Sequence, residues 1–135
     1  LVANIRDFLS VPFKSKGRSI EEGLDCWGLL IEVGKFYNID IPDFEVHCFN
    51  HAKIISLVDE HRKEWIKVDE PEKGVVVGMA RAKQFPNSVQ HFGMCINNRQ
   101  FIHTTKDTGV IITSLDNMMY KNSIKGFYKW NKNQI

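Results

Sequence analysis

The stretch Gly23-Leu24-Asp25-Cys26-Trp27-Gly28-Leu29-Leu30 constrains this chain more than any other. Asp25 is a helix-capping residue type, and behind it Leu29, Leu30, Val33, Phe36 and Tyr37 recur at helical spacing. The pattern predicts a loop ending at Leu24 and a helix that starts at Cys26 and runs to about Asn38. A thiol in the first helical turn sits at the positive end of the helix dipole, beside unpaired backbone N–H groups. Those groups favour thiolate, the nucleophilic form, and can hold an oxyanion. Cys26 is therefore expected to be the activated thiol, ahead of Cys48 and Cys95.

The rest of the chain reads as helices first and strands afterwards. Val2, Ile5, Phe8 and Leu9 suggest a helical face within residues 1–10, and residues 13–24 read as a loop leading to Cys26. Residues 39–49 read as an extended connection. Residues 51–65 read as a second amphipathic helix, with Ile54, Val58, His61 and Trp65 on one face. No strand is expected before about residue 66. From there the β-branched run Val75-Val76-Val77 indicates a buried strand, followed by a loop over 81–90. Alternation from His91 to Asn97 puts His91, Gly93 and Cys95 on one face and Phe92, Met94 and Ile96 on the other. Asn97-Asn98-Arg99 signals a hairpin whose return strand carries His103. A strand at 110–112, a short helix at 115–120 and a last strand at 124–130 follow. The expected class is α+β, with the Cys26 helix packed on an antiparallel sheet.

The chain has 135 residues, enough for one domain over residues 1–135 to bury a core without disulfides or metal. A net charge of +2, with no basic run interleaved with aromatics, argues against nucleic acid as a partner. Three cysteines make a disulfide scaffold an unattractive reading. No apolar run approaches the ~18 residues of a membrane span, and no leader pattern is recognisable. His47, Cys48 and His51 are close in sequence but lack a second ligand pair, so neither metal nor cofactor is expected. Cys95 reads as strand packing, and His61 as a half-buried helical residue.

Asp-Cys-x-Gly-Leu at 25–29, His-x-Gly at 91–93 and Ile-His at 102–103 together resemble the NlpC-type peptidoglycan cysteine peptidases, of the papain-like superfamily. The segment Leu24 to Leu29, followed by Tyr37 to Phe44, is similar to the phage tail-assembly branch. The resemblance covers roughly residues 5–130. It implies a papain-like fold with Cys26 as nucleophile, His91 as general base and His103 as the residue that orients His91. It implies a stem peptide of peptidoglycan as substrate, with a γ-D-glutamyl link to a diamino acid as the bond cleaved. It also implies other phage tail proteins as partners, and a place in the virion tail, or in the host cytoplasm during assembly, with action at the bacterial cell wall. The alternative it leaves open is a tail structural or assembly module with the same fold and little hydrolytic activity. Asp25, Trp27 and Phe13 are the expected substrate-binding residues. Many relatives have Ser where this chain has Trp27, Tyr near Phe13, and Gly-Asp where it has Gly74-Val75. Trp27 in place of Ser implies a different or more apolar subsite.

Overall fold

A computed structural model describes residues 2–130. Two small elements precede the main helix. A 3-10 turn at Ile5–Phe8 is capped reciprocally by Asn4 and Asp7 and buries Phe8. It is all that forms of the helix expected over 1–10, whose first residue lies outside the described part. β1 (Arg18–Ser19) and β2 (Gly23–Leu24) then pair antiparallel, giving the predicted loop a short hairpin.

α1 (Cys26–Phe36) begins where the sequence places it. Asp25 is extended at φ −89° and ψ −176°, and its carboxylate accepts the Gly28 N–H at 2.8 Å. α1 buries Leu29, Leu30 and Val33 against the sheet. Residues 39–50 contain no helix or strand, as expected. α2 (His51–Glu60) is shorter than predicted. A 3-10 turn at Arg62–Glu64 follows, and Trp65 opens β3 (Trp65–Val68), so the sheet starts before the expected boundary. Helical spacing of Trp65 with Ile54 and Val58 suggested continuation. Pairing with the last strand decides otherwise: Trp65 lies opposite Trp130, their ring centroids 4.8 Å apart.

β4 (Val76–Met79), β5 (His91–Cys95), β6 (Gln100–Thr105), β7 (Gly109–Ser114) and β8 (Ile124–Trp130) complete an antiparallel sheet in the order β3-β8-β4-β5-β6-β7. The short helix expected at 115–120 is replaced by turns and a 3-10 turn at Lys121–Ser123. There the side chains of Ser114 and Asn117 accept the N–H groups of Asp116 and Met119, and so compete with helical bonding. The sheet has two buried faces. Val76, Phe92, Met94, Ile102 and Val110 pack with α1, while Val77, Met79, Cys95, Phe101 and Tyr120 form a second cluster. No helix of the described residues is long and apolar enough to cross a membrane.

Gly28 does not leave open space above the first turn of α1. A Cβ there would stand 2.1 Å from the Gly17 carbonyl oxygen, because the 14–18 loop is laid directly against the helix. Gly→Ala inside a helix ordinarily stabilises by about 1 kcal/mol. Here overpacking reverses the sign, and Gly28→Ala should cost about 2–3 kcal/mol in chemical denaturation. A neutral or stabilising result would show that the loop yields readily.

Candidate active site

Cys26 is placed by the cap of α1, and its side chain is only 7% exposed. Gly28 N–H is taken by the Asp25 carboxylate and Leu29 N–H by the Asp25 carbonyl, at 2.8 and 2.9 Å. The N–H groups of Cys26 and Trp27 stand at the end of the helix, where no intrahelical acceptor exists. An oxyanion formed beside the sulfur has donors within its reach.

His91 is the first residue of β5, and His103 lies on β6. The pairing Met94 with Ile102 and Cys95 with Phe101, carried on by one residue, sets Gly93 opposite His103. A Cβ at Gly93 would lie 3.2 Å from His103 Cβ and 2.8 Å from the Phe101 ring, so glycine lets the His103 ring lean toward His91. His91 Nε2 and His103 Nδ1 are 3.0 Å apart, and His103 Nε2 is 2.9 Å from Thr113 Oγ1 on β7. The three side chains form a chain of hydrogen bonds that leaves His91 Nδ1 as the remaining ring nitrogen. Cys26 and His91 line one trough, together with Phe13, Arg81, Gln90, Thr104 and Lys106. The two imidazoles belong to the sheet face opposite α1. His91, at the start of β5, shares the trough with Cys26, and His103 stands behind it.

Burial governs the electrostatics. Desolvation pushes the Cys26 thiol up to about 12, with the Asp25 carboxylate and Cys48 adding to the rise. The Phe92 backbone and Arg18 oppose it without reversing it. Desolvation also lowers His91 to about 4, helped by the positive charge of Arg81. His103 falls further, first through burial and then through His91 and Arg81. The resting pair is thus a thiol and a neutral imidazole. The depth of Cys26 thus opposes the ionisation that its place at the helix start favours.

The other expected site residues separate by role. Asp25 is 1% exposed, and its oxygens accept from Gly28 N–H, Lys16 N–H at 3.1 Å and Arg18 Nη1 at 2.7 Å. Its carboxylate holds the helix start and loop, and the residue also belongs to the lining of a pocket beside the sulfur. Trp27 donates its indole N–H to the Pro42 carbonyl at 2.8 Å and packs edge-on against Phe92 at 5.0 Å. Phe13 lines the trough. His47 uses both ring nitrogens locally, on Ser15 Oγ at 2.8 Å and on the Phe49 N–H at 3.2 Å.

A second recess also borders Cys26. This pocket of about 210 Å³ is walled by Trp27, Phe44, Ile54, Val58, Trp65 and Phe92, and Cys26 belongs to its lining as well.

Three residues at the site escaped sequence reasoning. Thr113 looks like any β-branched strand residue. Gln90, 3% exposed, pins the 81–90 loop by accepting the N–H of Arg81 and donating to the carbonyls of Phe85 and Ser88. Its place directly before His91 was the available signal. The buried hydroxyl of Thr104 lines the trough and has no hydrogen-bond partner among the described residues.

Comparison with known proteins follows the same line. The chain matches the NlpC/P60 family over residues 10–129. No curated protein matches it. Among solved structures it is similar to an NlpC/P60 family protein from Bacillus cereus ATCC 10987, with a TM-score of 0.66 and 25% identity over 92% of this chain. It is also similar in fold to a protein from Staphylococcus aureus subsp. aureus Mu50 described as similar to lipoprotein, NLP/P60 family, with a TM-score of 0.66 and 16% identity over 95% of this chain. The match covers 37% and 39% of those two longer chains. With a helix-initiating Cys26 packed against an antiparallel sheet, the fold is the papain-like α+β architecture. The chain belongs to the NlpC/P60 family.

Proposed function

We propose that the protein is a cysteine peptidase that hydrolyses an amide bond in peptidoglycan stem peptides, with Cys26 as nucleophile, His91 as base and acid, and His103 as the residue that orients His91. The observation that carries this reading is the continuous arrangement at the start of β5: a thiol at a helix start, in one trough with an imidazole whose far nitrogen is held at 3.0 Å by a second imidazole. Family membership supports the reaction class and the polymer. The γ-D-glutamyl–diamino acid bond rests on the resemblance to the family, and a phage-tail setting on the local resemblance of residues 24–29 and 37–44; both are the narrower part of the proposal.

Because the resting pair is neutral, His91 Nδ1 takes the thiol proton as Sγ attacks the carbonyl carbon, without a stored ion pair. The N–H groups at the start of α1 receive the oxyanion. His91 passes the proton to the leaving nitrogen and then deprotonates the water that cleaves the thioester. This sequence needs a bare lone pair on Nδ1, hence a proton on Nε2. Thr113 sets that tautomer when its hydroxyl accepts from His103 Nε2–H, so that His103 Nδ1 accepts from His91 Nε2–H. The desolvated thiol also favours a second reading, a tail assembly module of low activity, and turnover decides between the two.

Three outcomes are expected. With purified stem-peptide fragments and mass spectrometry of the products, Cys26→Ala and His91→Ala should abolish cleavage, and His103→Ala should retain more of it. Wild-type turnover by folded His91→Ala would refute the assignment. Thr113→Val should lower kcat by about tenfold with KM little changed, and Thr113→Ser should restore it. In 15N spectra of the imidazoles, the Val variant should lose the single tautomer that the Ser variant keeps.

The third outcome concerns pH. With the thiol raised to about 12, the rate of Cys26 alkylation by iodoacetamide should climb about tenfold per pH unit from pH 6 to 9 without levelling. A plateau below pH 7 would mean an ion pair. Protonation of His91 is disfavoured in the fold. Its contribution to stability is therefore full above the ordinary histidine range and declines as pH falls toward about 4, readable as a falling Tm.

A further inference from the structure

The pocket beside Cys26 has been given no occupant so far. It lies among Trp27 on α1, Phe44 in the connecting segment, Ile54, Leu57 and Val58 on α2, Trp65 on β3, and the sheet residues Val76 and Phe92. The apolar side of α2 faces this space, and of that helix only Ile54 is buried. An amphipathic helix held over a void beside a nucleophile calls for an apolar occupant.

Position relative to the thiol identifies which part of a substrate enters. His91 must protonate the leaving group, so that group departs along the trough that His91 lines. His91 does not line the pocket, but Cys26 does. The acyl part of the substrate, bonded to Sγ after attack, is the part left to occupy the pocket. The trough carries the cations Arg81 and Lys106 and no carboxylate, which suits a leaving group bearing an anion. Within the pocket the only carboxylate, Asp25, is paired with Arg18, and Arg62 and Lys67 are the cations of an otherwise mainly apolar lining. A cavity of about 150 Å³ holds a benzene molecule, so about 210 Å³ accommodates an acyl chain of roughly eight carbons.

We propose that this pocket is an acyl-binding site, and that Cys26 accepts medium-length apolar acyl groups from esters, an activity beyond stem-peptide hydrolysis. The proposal rests on Cys26 being the nucleophile and is independent of the peptidoglycan substrate. In the step, the bond between Sγ and the acyl carbon forms and the bond from that carbon to the ester oxygen breaks. The thiol proton travels through His91 to the departing oxygen. Water then cleaves the thioester, releasing the carboxylic acid and restoring the thiol.

The test uses p-nitrophenyl acetate, butyrate, hexanoate, octanoate and laurate with the whole protein. Acylation of Cys26 is followed by nitrophenolate release and by peptide mass mapping, and is normalised to the reaction of N-acetylcysteine with each ester. Normalised rates should rise by up to about fourfold per added methylene, by at least about tenfold from acetate to octanoate, and fall at laurate. Val58→Trp and Ile54→Trp should bring the octanoate-to-acetate ratio down toward that of the free thiol. A flat normalised profile with Cys26 still acylated would overturn the acyl site and leave the nucleophile standing. A ratio unmoved in folded Trp variants would also overturn it. If no ester acylates Cys26, the acyl site and the nucleophile assignment fall together.

Discussion

The ion pair between buried Asp25 and half-buried Arg18 is the interaction on which the site depends. One Asp25 oxygen, Oδ1, accepts from both Gly28 N–H and Arg18 Nη1, and the other takes the Lys16 N–H. Arg18 extends the node: its Nε reaches Asp43 at 2.9 Å, and its Nη2 reaches the Phe44 carbonyl at 3.2 Å. One ion pair therefore joins the start of α1, the hairpin before it and the segment that walls the apolar pocket. A carboxylate taken out of water costs several kcal/mol, recovered only when its lone pairs are well matched. Here the matching is nearly complete, and what it secures is geometry: the position of Cys26 and of both recesses beside it.

The same burial sets the chemical state of the site. Burial works against thiolate at Cys26, and the His103 imidazole, among Phe101, Tyr120 and Thr113, is likewise disfavoured in its charged form. Proton position is then governed by hydrogen-bond direction along Thr113, His103 and His91 rather than by charge. Such a relay tolerates changes in ionic strength better than an exposed ion pair would, because little net charge is present to be screened.

Much of the architecture was legible because each signal was local. An Asp followed by a helical stripe placed Cys26, and strict alternation placed His91, with His103 across a hairpin. What failed depended on distance in the chain. Trp65 continued a helical spacing and turned out to be a strand residue because Trp130 pairs with it. Thr113 gained its importance only from β7 lying beside β6. The protonation of Cys26 followed from burial by residues spread over the whole chain, and no stretch around the cysteine encodes that depth.

The sheet order bears on how the molecule comes to exist. β4 to β7 form a meander of neighbours in sequence, whose contacts close short loops and can form early. β8 enters last and lies between β3 and β4, so the strand bearing Trp65 has no partner until residues near 130 are available. On a ribosome, the imidazole side of the site can be assembled while the wall of the pocket is still open. Cys26 is buried on one side before the other, and the edge of β4 stays unpaired until synthesis reaches β8. That interval is when this chain is most exposed to pairing with another copy of itself.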